Sequence, residues 1–427
     1  MPPNPRRNHM KLVHAIAALV GSATVSIAAA QTQITIQYPY AYAFKPIFDT
    51  LVERFEKVHP DVRVVTRPPY QNYEDGIEKT LRGAISNDLP DISIHAINRQ
   101  RVLVERGFVQ PLGKLIRAES NWESRGYASG LMAIGRVAGD TYSLPFAVST
   151  PVVYYNADLV RQVGGDPNRF PQDWDGLLAL ASKINALGND ISGVSFAWDI
   201  TGNWMWQALV MSQGGSMLTP DEKKVAFGGP AGQHSMRLLS RMVKEGGMRN
   251  LNVAAGRQSF AAGKIGILIS TSAYTETLDK AVGGRFPVRT TTFPLPAEKG
   301  KLPGGGSVVV MSAKKPDTQK AAWEFVKFIT SADSAAYVAS HTGYAPANAL
   351  AASDPKYLGD FYKSKPNHLA NMRQLDVVTQ WYGFPGDNGL KITDVIADHL
   401  QSVVNGAAKP DDALKMMVED VQRLLPR

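Results

Sequence analysis

Apolar and polar positions alternate with a period of two from Gln33 to Tyr38, which puts Ile34, Ile36 and Tyr38 on one face of a strand. The period then lengthens. Between Phe44 and His59 the residues Ile47, Phe48, Leu51, Val52, Phe55 and Val58 fall on one stripe of a helix, and Pro60 stops it. Val62 to Val65 predicts a second strand. Tyr73 to Ser86 predicts a second helix with Ile77, Leu81 and Ile85 inward, and Asp91 to His95 a third strand. Arg99 to Arg106 predicts a helix that ends at Gly107. The order βαβαβα with short connections implies a mainly parallel sheet with helices on both faces. Ligands of such sheets sit beyond the carboxyl ends of the strands. At those ends this chain carries Tyr38, Tyr40, Tyr42, Tyr70, Tyr73 and Asn98.

Ser143 to Asn156 breaks the rhythm. Val152 to Tyr155 reads as a buried strand, and Pro145 and Pro151 flank the short loop Ala147 to Thr150. Proline cannot donate to a sheet ladder, so each marks a place where the chain leaves or joins a sheet. The stretch fits a crossing between two sheets; an ordinary loop and strand within one domain fits it as well.

Beyond it, Asp158 to Val163 and Asp175 to Leu187 predict helices and Val194 to Ala197 a strand. Trp174, Trp198, Trp204 and Trp206 gather here, each suited to anchoring a core or to stacking on a ligand. Ala231 to Lys244 predicts a helix, Ile265 to Ser270 a strand ending in Ser270-Thr271-Ser272, and Val288 to Phe293 a strand leading back to the first part. Gly304-Gly305-Gly306 precedes the strand Val308 to Met311. It suits a tight turn, and also a bare backbone that a ligand can approach. Helices follow at Gln319 to Ile329 and Ala332 to Ser340, and the tail Leu390 to Leu425 is helical with a break near Asn405 to Pro410.

The first thirty residues stand apart. Lys11 precedes an apolar run, Leu12 to Ile27, and Ala28-Ala29-Ala30 precedes Gln31, the pattern of an export leader cut after Ala30. Removing it leaves 397 of 427 residues, more than one core usually supports, so two lobes are expected. There is no cysteine, so an exported chain here relies on its core rather than on disulfides. The net charge of +8 includes Arg6, Arg7 and Lys11 of the leader, which leaves +5, spread without a basic run. That argues against nucleic-acid binding.

Enzyme signatures are absent: no nucleophile elbow, no paired zinc histidines, no thiol. His59, His95, His234, His341, His368 and His399 are scattered without metal-ligand spacing, so neither a metal nor a cofactor is expected. What remains is an excess of Tyr, Trp, small hydroxyls and Gly at loop tips, an inventory suited to sugars or polyols. A secreted hydrolase is the alternative; it would need paired carboxylates, for which Asp75, Asp91 and Asp199 are the candidates.

Several stretches in order resemble the family 1 extracellular solute-binding proteins of ABC importers. They are Glu53-Arg54-Phe55 with His59-Pro60, Asn72-Tyr73-Glu74, Leu89-Pro90-Asp91-Ile92, Leu144-Pro145-Phe146, Ser149-Thr150-Pro151 through Tyr154-Tyr155-Asn156, Asp173-Trp174, Phe260-Ala261-Ala262-Gly263-Lys264, Gly304-Gly305 and Thr342-Gly343-Tyr344-Ala345-Pro346. Within that family the chain is most similar to the glycerol-3-phosphate and glycerophosphodiester binders. The resemblance implies a two-lobed α/β periplasmic binding fold of type II, each lobe a mainly parallel sheet flanked by helices, that closes on a solute and delivers it to a permease. It carries ligand contacts onto Tyr73, Ser149, Trp174, Gly305 and Tyr344, and a ligand-contacting serine onto Thr271. Tyr40 and Trp204 join these from the loop-tip inventory. The family's glutamate after the third strand meets Ile97 or Asn98 here, and its C-terminal arginine meets Thr393, with Lys391 the nearest cation. A sugar or glycoside therefore suits the site as well as a phosphate does. The expected product is a periplasmic monomer. Lobe one spans 31–146 with 291–335 returning to it, and lobe two spans 147–290 with 336–427, hinged near Pro145–Thr150 and Thr290–Phe293.

Overall fold

A computed structural model describes residues 31–127, 129–188 and 190–426; the expected leader and its cleavage point lie outside them. The opening follows the expected order: β1 (Thr32–Gln37), α1 (Ala41–Val58), β2 (Val62–Thr66), α2 (Tyr73–Ile85) and β3 (Ile92–Ala96). β1 lies between β2 and β3 and is parallel to both. Ile34 and Ile36 are fully buried, and Phe44, Ile47, Phe48, Leu51 and Phe55 of α1 belong to the same core. Each such burial contributes about 1.5–3 kcal/mol, enough for the stripe to fix the helix on the sheet. The stripe is shorter than its spacing suggests. Val58 and Ile85 are exposed, each being the last residue of its helix.

The remaining main elements are β4 (Ser143–Ser149), β5 (Pro151–Asn156), α3 (Trp174–Asn185), β6 (Ser192–Phe196), α4 (Trp204–Ser212), α5 (Pro230–Lys244), α6 (Val253–Ala261), β7 (Ile265–Thr271), α7 (Thr275–Val282) and β8 (Val288–Thr292). After them come β9 (Gly305–Met311), α8 (Pro316–Ile329), α9 (Ala332–His341), β10 (Ala345–Pro346), α10 (Gly389–Val404) and α11 (Pro410–Leu424). They form a six-stranded sheet of order β10-β4-β9-β3-β1-β2 and a four-stranded sheet of order β8-β5-β7-β6. The parallel pattern holds for β1 to β3. It gives way where β9 enters antiparallel to both β3 and β4, and the smaller sheet pairs only β6 with β7 in parallel. Both sheets are therefore mixed, because β9 and β8 are return strands rather than steps of a right-handed crossover.

The crossing is one residue long. Ser149 still pairs with Gly305 in the larger sheet, and Pro151 already pairs with Thr271 in the smaller one. Thr150 between them is buried and held on every polar atom. Its N–H donates to Ser272 Oγ (3.2 Å) and its carbonyl accepts from Ser272 N–H (3.0 Å). Its hydroxyl donates to Asn371 Oδ1 (2.9 Å) and accepts from Gln374 Nε2 (2.7 Å). Gln374 also receives the N–H of Phe293 (2.7 Å), just past β8, so one side chain ties the two expected hinge segments together.

The sequence reading sends the chain back to the second lobe at residue 336. Instead α9 packs on α1, and β10 pairs with Val148 and Ala147, so the chain stays on the six-stranded sheet through Pro346. Further on, α10 and α11 pack on each other and on α5, and their Ile396, Leu400, Leu414 and Met417 join the core that contains β6 and β7.

Candidate ligand-binding site

A cavity of about 360 Å³ lies where the ends of β4 and β7, the start of β9 and the loop before α1 converge. From the side of the larger sheet come Tyr40, Tyr42, Tyr73, Gly305, Gly306 and Tyr344. From the other side come Thr201, Trp204, Arg257, Thr271 and Tyr274; Ser149 stands at the crossing, and Trp381 is supplied by the loop before α10.

Local structure explains most of these positions. Tyr40 takes a left-handed backbone (φ 52°), which turns the chain from β1 into α1, and its carbonyl accepts the N–H groups of Ala43 and Phe44. Asn72 caps α2 by accepting the Asp75 N–H at 2.9 Å, so Tyr73 enters at the first turn and faces the cavity. Gly305 is required by close approach: a Cβ there would stand 2.7 Å from both Ser149 Oγ and Trp204 Cζ2. Gly306 has φ +104°, and its Cβ would strike the Ala147 carbonyl. The glycine run is thus a fitted part of the wall.

The rings brace one another. Tyr40 meets Tyr73 edge-on at 5.0 Å, Phe44 stacks with Tyr344 at 6.0 Å, and Trp204 and Trp381 lie 6.1 Å apart. Trp204 donates its indole N–H to the Pro303 carbonyl (2.9 Å) and Trp381 to the Gly202 carbonyl (3.2 Å). Both indoles therefore offer only ring surface to a ligand. Tyr73 differs. Its hydroxyl is buried near Ser307 and Tyr344 yet meets no partner in hydrogen-bond geometry. Burial pushes it up to about 12 and also raises Tyr40 and Tyr344, so at neutral pH all three stay uncharged and can both donate and accept.

Seven of the expected contacts, Tyr40, Tyr73, Ser149, Trp204, Thr271, Gly305 and Tyr344, line this one cavity. Trp174 does not. It opens α3, where Asp173 caps the helix by accepting the Gly176 N–H (2.8 Å). Its spacing to Leu177, Leu178, Ala181 and Ile184 puts it on the inward stripe. There it packs edge-on against Phe293 at 5.1 Å, within the core. Of the other loop-tip residues, Tyr42 lines the cavity, whereas Tyr38 stacks on Phe48 and Tyr70 bonds to Thr80 in the core; Trp198 and Trp206 are buried outside it, as is Asn98. Trp381, Tyr274, Arg257 and Thr201 were not picked out by sequence. The first two did carry a signal: each is an aromatic residue in a polar turn, after Gln380 and after Ser272-Ala273.

The carboxylates a hydrolase would need are spent elsewhere. Asp75 accepts the Gln71 N–H and pairs with Lys79, Asp91 accepts the N–H and hydroxyl of Thr35, and Asp199 accepts the Val253 N–H. None of the three lines the cavity. The carboxylate that does, Glu276, is paired with Lys280 and Lys365.

Residues 50–370 match the model of the bacterial extracellular solute-binding protein family. The chain is 23% identical to the sn-glycerol-3-phosphate-binding periplasmic protein UgpB of Pectobacterium atrosepticum, with 98% of each chain covered. It is 25% identical to that of Yersinia enterocolitica, with 89% of each covered. Among solved structures, the cyclic alpha-maltosyl-1,6-maltose binding protein of Arthrobacter globiformis superposes with a TM-score of 0.80 at 20% identity, covering 92% of this chain and 99% of that one. UgpB of Mycobacterium tuberculosis, in complex with glycerophosphocholine, gives 0.79 at 20% identity, covering 91% and 98%. The fold is thus that of two-lobed solute-binding proteins, and these relatives are binders rather than enzymes. On the match over residues 50–370, the chain belongs to the bacterial extracellular solute-binding protein family.

Proposed function

We propose that this chain is the periplasmic substrate-binding component of an ABC importer. It captures a polyhydroxylated solute (a sugar, a glycoside or a glycerol-phosphate derivative) and hands it to the membrane permease. The observation that carries this reading is the cavity itself. Its walls belong to two sheets joined by a single crossing residue, and it is faced by aromatic rings and uncharged hydroxyls. Ring faces cover the C–H surface of a sugar, and hydroxyls fix its OH groups. A solute touching both walls favours the closed arrangement over the open one, and the permease reads that difference.

In this reading lobe one comprises 31–149 with 305–346, lobe two comprises 151–292 with the C-terminal helices, and Thr150 is the first hinge. Tyr40, Tyr73, Gly305 and Tyr344 contact the solute from lobe one; Thr271 and Trp204 contact it from lobe two, with Ser149 between. The leader directs export and is removed after Ala30, and the mature protein works as a monomer.

The test is a thermal-shift and calorimetric screen of residues 31–427 against maltose, sn-glycerol-3-phosphate, glycerophosphocholine and free polyols. Saturable binding of one ligand per chain is expected, with a midpoint that rises with ligand concentration. Failure of every probe in these classes to bind would refute the reading.

A further inference from the structure

One cation of the cavity wall has no anionic partner. Arg257, on α6, holds its guanidinium 3.8 Å from the centre of the Tyr274 ring, and both residues line the cavity. Its Nε is buried without a hydrogen-bond partner. Among the described residues no carboxylate lies within ion-pair distance of it, whereas Arg241 and Arg249 are both paired.

None of the neighbouring charged groups forms an ion pair with it. Glu276 faces Lys280 at 3.4 Å and Lys365 at 3.3 Å. Asp199 accepts the Val253 N–H at the start of α6 through Oδ2, and its Oδ1 is buried without a partner, forming no ion pair with Arg257. His341 turns its Nδ1 to Tyr337 and Ser340. Arg257 also stands at a junction. α6 and α7 bound a groove of about 550 Å³ lined by Ala254, Gln258, Ala261 and Ala281, and Arg257 and Thr277 belong to both groove and cavity. The groove's other arginine, Arg285, is engaged with the Ala261 and Ala281 carbonyls.

We propose that Arg257 is an anion subsite of the cavity. It receives an oxyanion of the captured solute, a phosphodiester or a carboxylate, while the rest of the solute lies against the aromatic walls; this rests on the reading of the cavity as the solute site. The stack on Tyr274 orients the guanidinium before the ligand arrives, leaving its planar edge free for a two-pronged bond. Thr393, which stands where the family has its C-terminal arginine, supplies no cation to the cavity. The Thr393 hydroxyl bonds to the Leu390 carbonyl, and Lys391 is exposed outside it. Arg257 supplies a cation from a different element.

The test is calorimetry on the chain from residue 31, comparing wild type, Arg257→Gln and Arg257→Lys. The probes are sn-glycerol-3-phosphate, glycerophosphocholine, glucuronate and maltose, each at low and high salt. At least one anionic probe is expected to bind, more weakly as salt rises. Its affinity falls on the order of 10- to 100-fold in Arg257→Gln and recovers partly in Arg257→Lys, with the unfolding midpoint unchanged. The phosphate and carboxylate probes separate the two sources of the anion. An anionic probe bound equally by wild type and Arg257→Gln overturns the subsite. So does a wild type that binds maltose and no anion, though the cavity reading then survives. Binding of no probe overturns both.

Discussion

Arg101 and Glu222 form a two-pronged ion pair, with both nitrogen–oxygen distances at 2.6 Å. It joins the helical segment after β3 of the larger sheet to the turn between α4 and α5. Tyr382 adds a hydroxyl to the same carboxylate (2.8 Å), and Arg101 also reaches Glu105 (2.7 Å). The nearby guanidinium holds Glu222 below the usual glutamate value of 4.5. Solvent reaches both side chains and screens the pair, so Arg101→Ala should destabilise by about 1 kcal/mol in urea unfolding at pH 7. A depressed native pKa contributes stability above the unfolded value and loses it as pH falls through the native one. The gap between wild type and variant should therefore shrink on acidification below about pH 4.5; a constant gap down to pH 3 would contradict the pairing.

Trp174→Ala should cost about 3–5 kcal/mol of folding stability, as a large aromatic removed from a core does. The folded fraction should keep its ligand affinity, because Trp174 faces Phe293 and not the cavity. Calorimetry below the unfolding midpoint separates the two effects. Lost affinity with unchanged stability would restore the stacking role that the resemblance implies.

Tyr73→Phe removes a hydroxyl that is buried and unpartnered in the ligand-free protein. Stability should change by less than about 0.5 kcal/mol or rise slightly, since no hydrogen bond is lost. Affinity for the solute should fall roughly 5- to 30-fold, one hydrogen bond's worth. A variant that is clearly less stable without ligand would show that the hydroxyl already has a structural partner.

His95 lies fully buried on β3, with Nε2 3.0 Å from Ser93 Oγ and 3.3 Å from Thr80 Oγ1. Burial lowers its pKa from 6.5 to about 4. The unfolded chain then takes up the proton first, so this residue removes stability as pH falls from 6.5 toward 4, by up to about 3 kcal/mol. His368, also lowered by burial, adds to the same window. His95→Gln should flatten the slope of stability against pH between 6.5 and 4. An unchanged slope would mean that His95 is protonated in the native state.

Sequence alone disclosed most of the main elements and their order, because α1 and β1 carry clear periodic stripes, but it gave no helix at α4 or α7. It offered the crossing as one of two readings, from Pro151 and the apolar run after it, but put a loop at Ala147–Thr150, where β4 runs on to Ser149. Strand direction in the sheets was hidden: β9 pairs with residues 156 to 219 positions earlier, and no local pattern encodes those partners. The site was half legible. Tyr73 and Gly305 come from the family resemblance, and Tyr40 from its place at a strand end. Trp174 was misassigned although its i, i+3, i+4, i+7 spacing to Leu177, Leu178 and Ala181 already placed it on the buried stripe. Arg257 sits just ahead of the Phe260–Lys264 stretch and belongs to no motif, and only packing brings it beside Tyr274.

The place of β9 between β3 and β4 also sets an order of events in making the protein. As the chain is synthesised, β1, β2 and β3 can pair early. The facing edges of β3 and β4 then stay open until residues 305–311 arrive, and Thr150 waits for Asn371 and Gln374. Neither lock can close before its partners, residues 305–311 and then Asn371 and Gln374, have been made, and pairing over such separations is slow to form. A chain cut short before residue 305 would expose two long strand edges, a state prone to aggregate rather than to bind. The larger sheet therefore stays in two pieces, β3-β1-β2 and β4, until residues 305–311 join them.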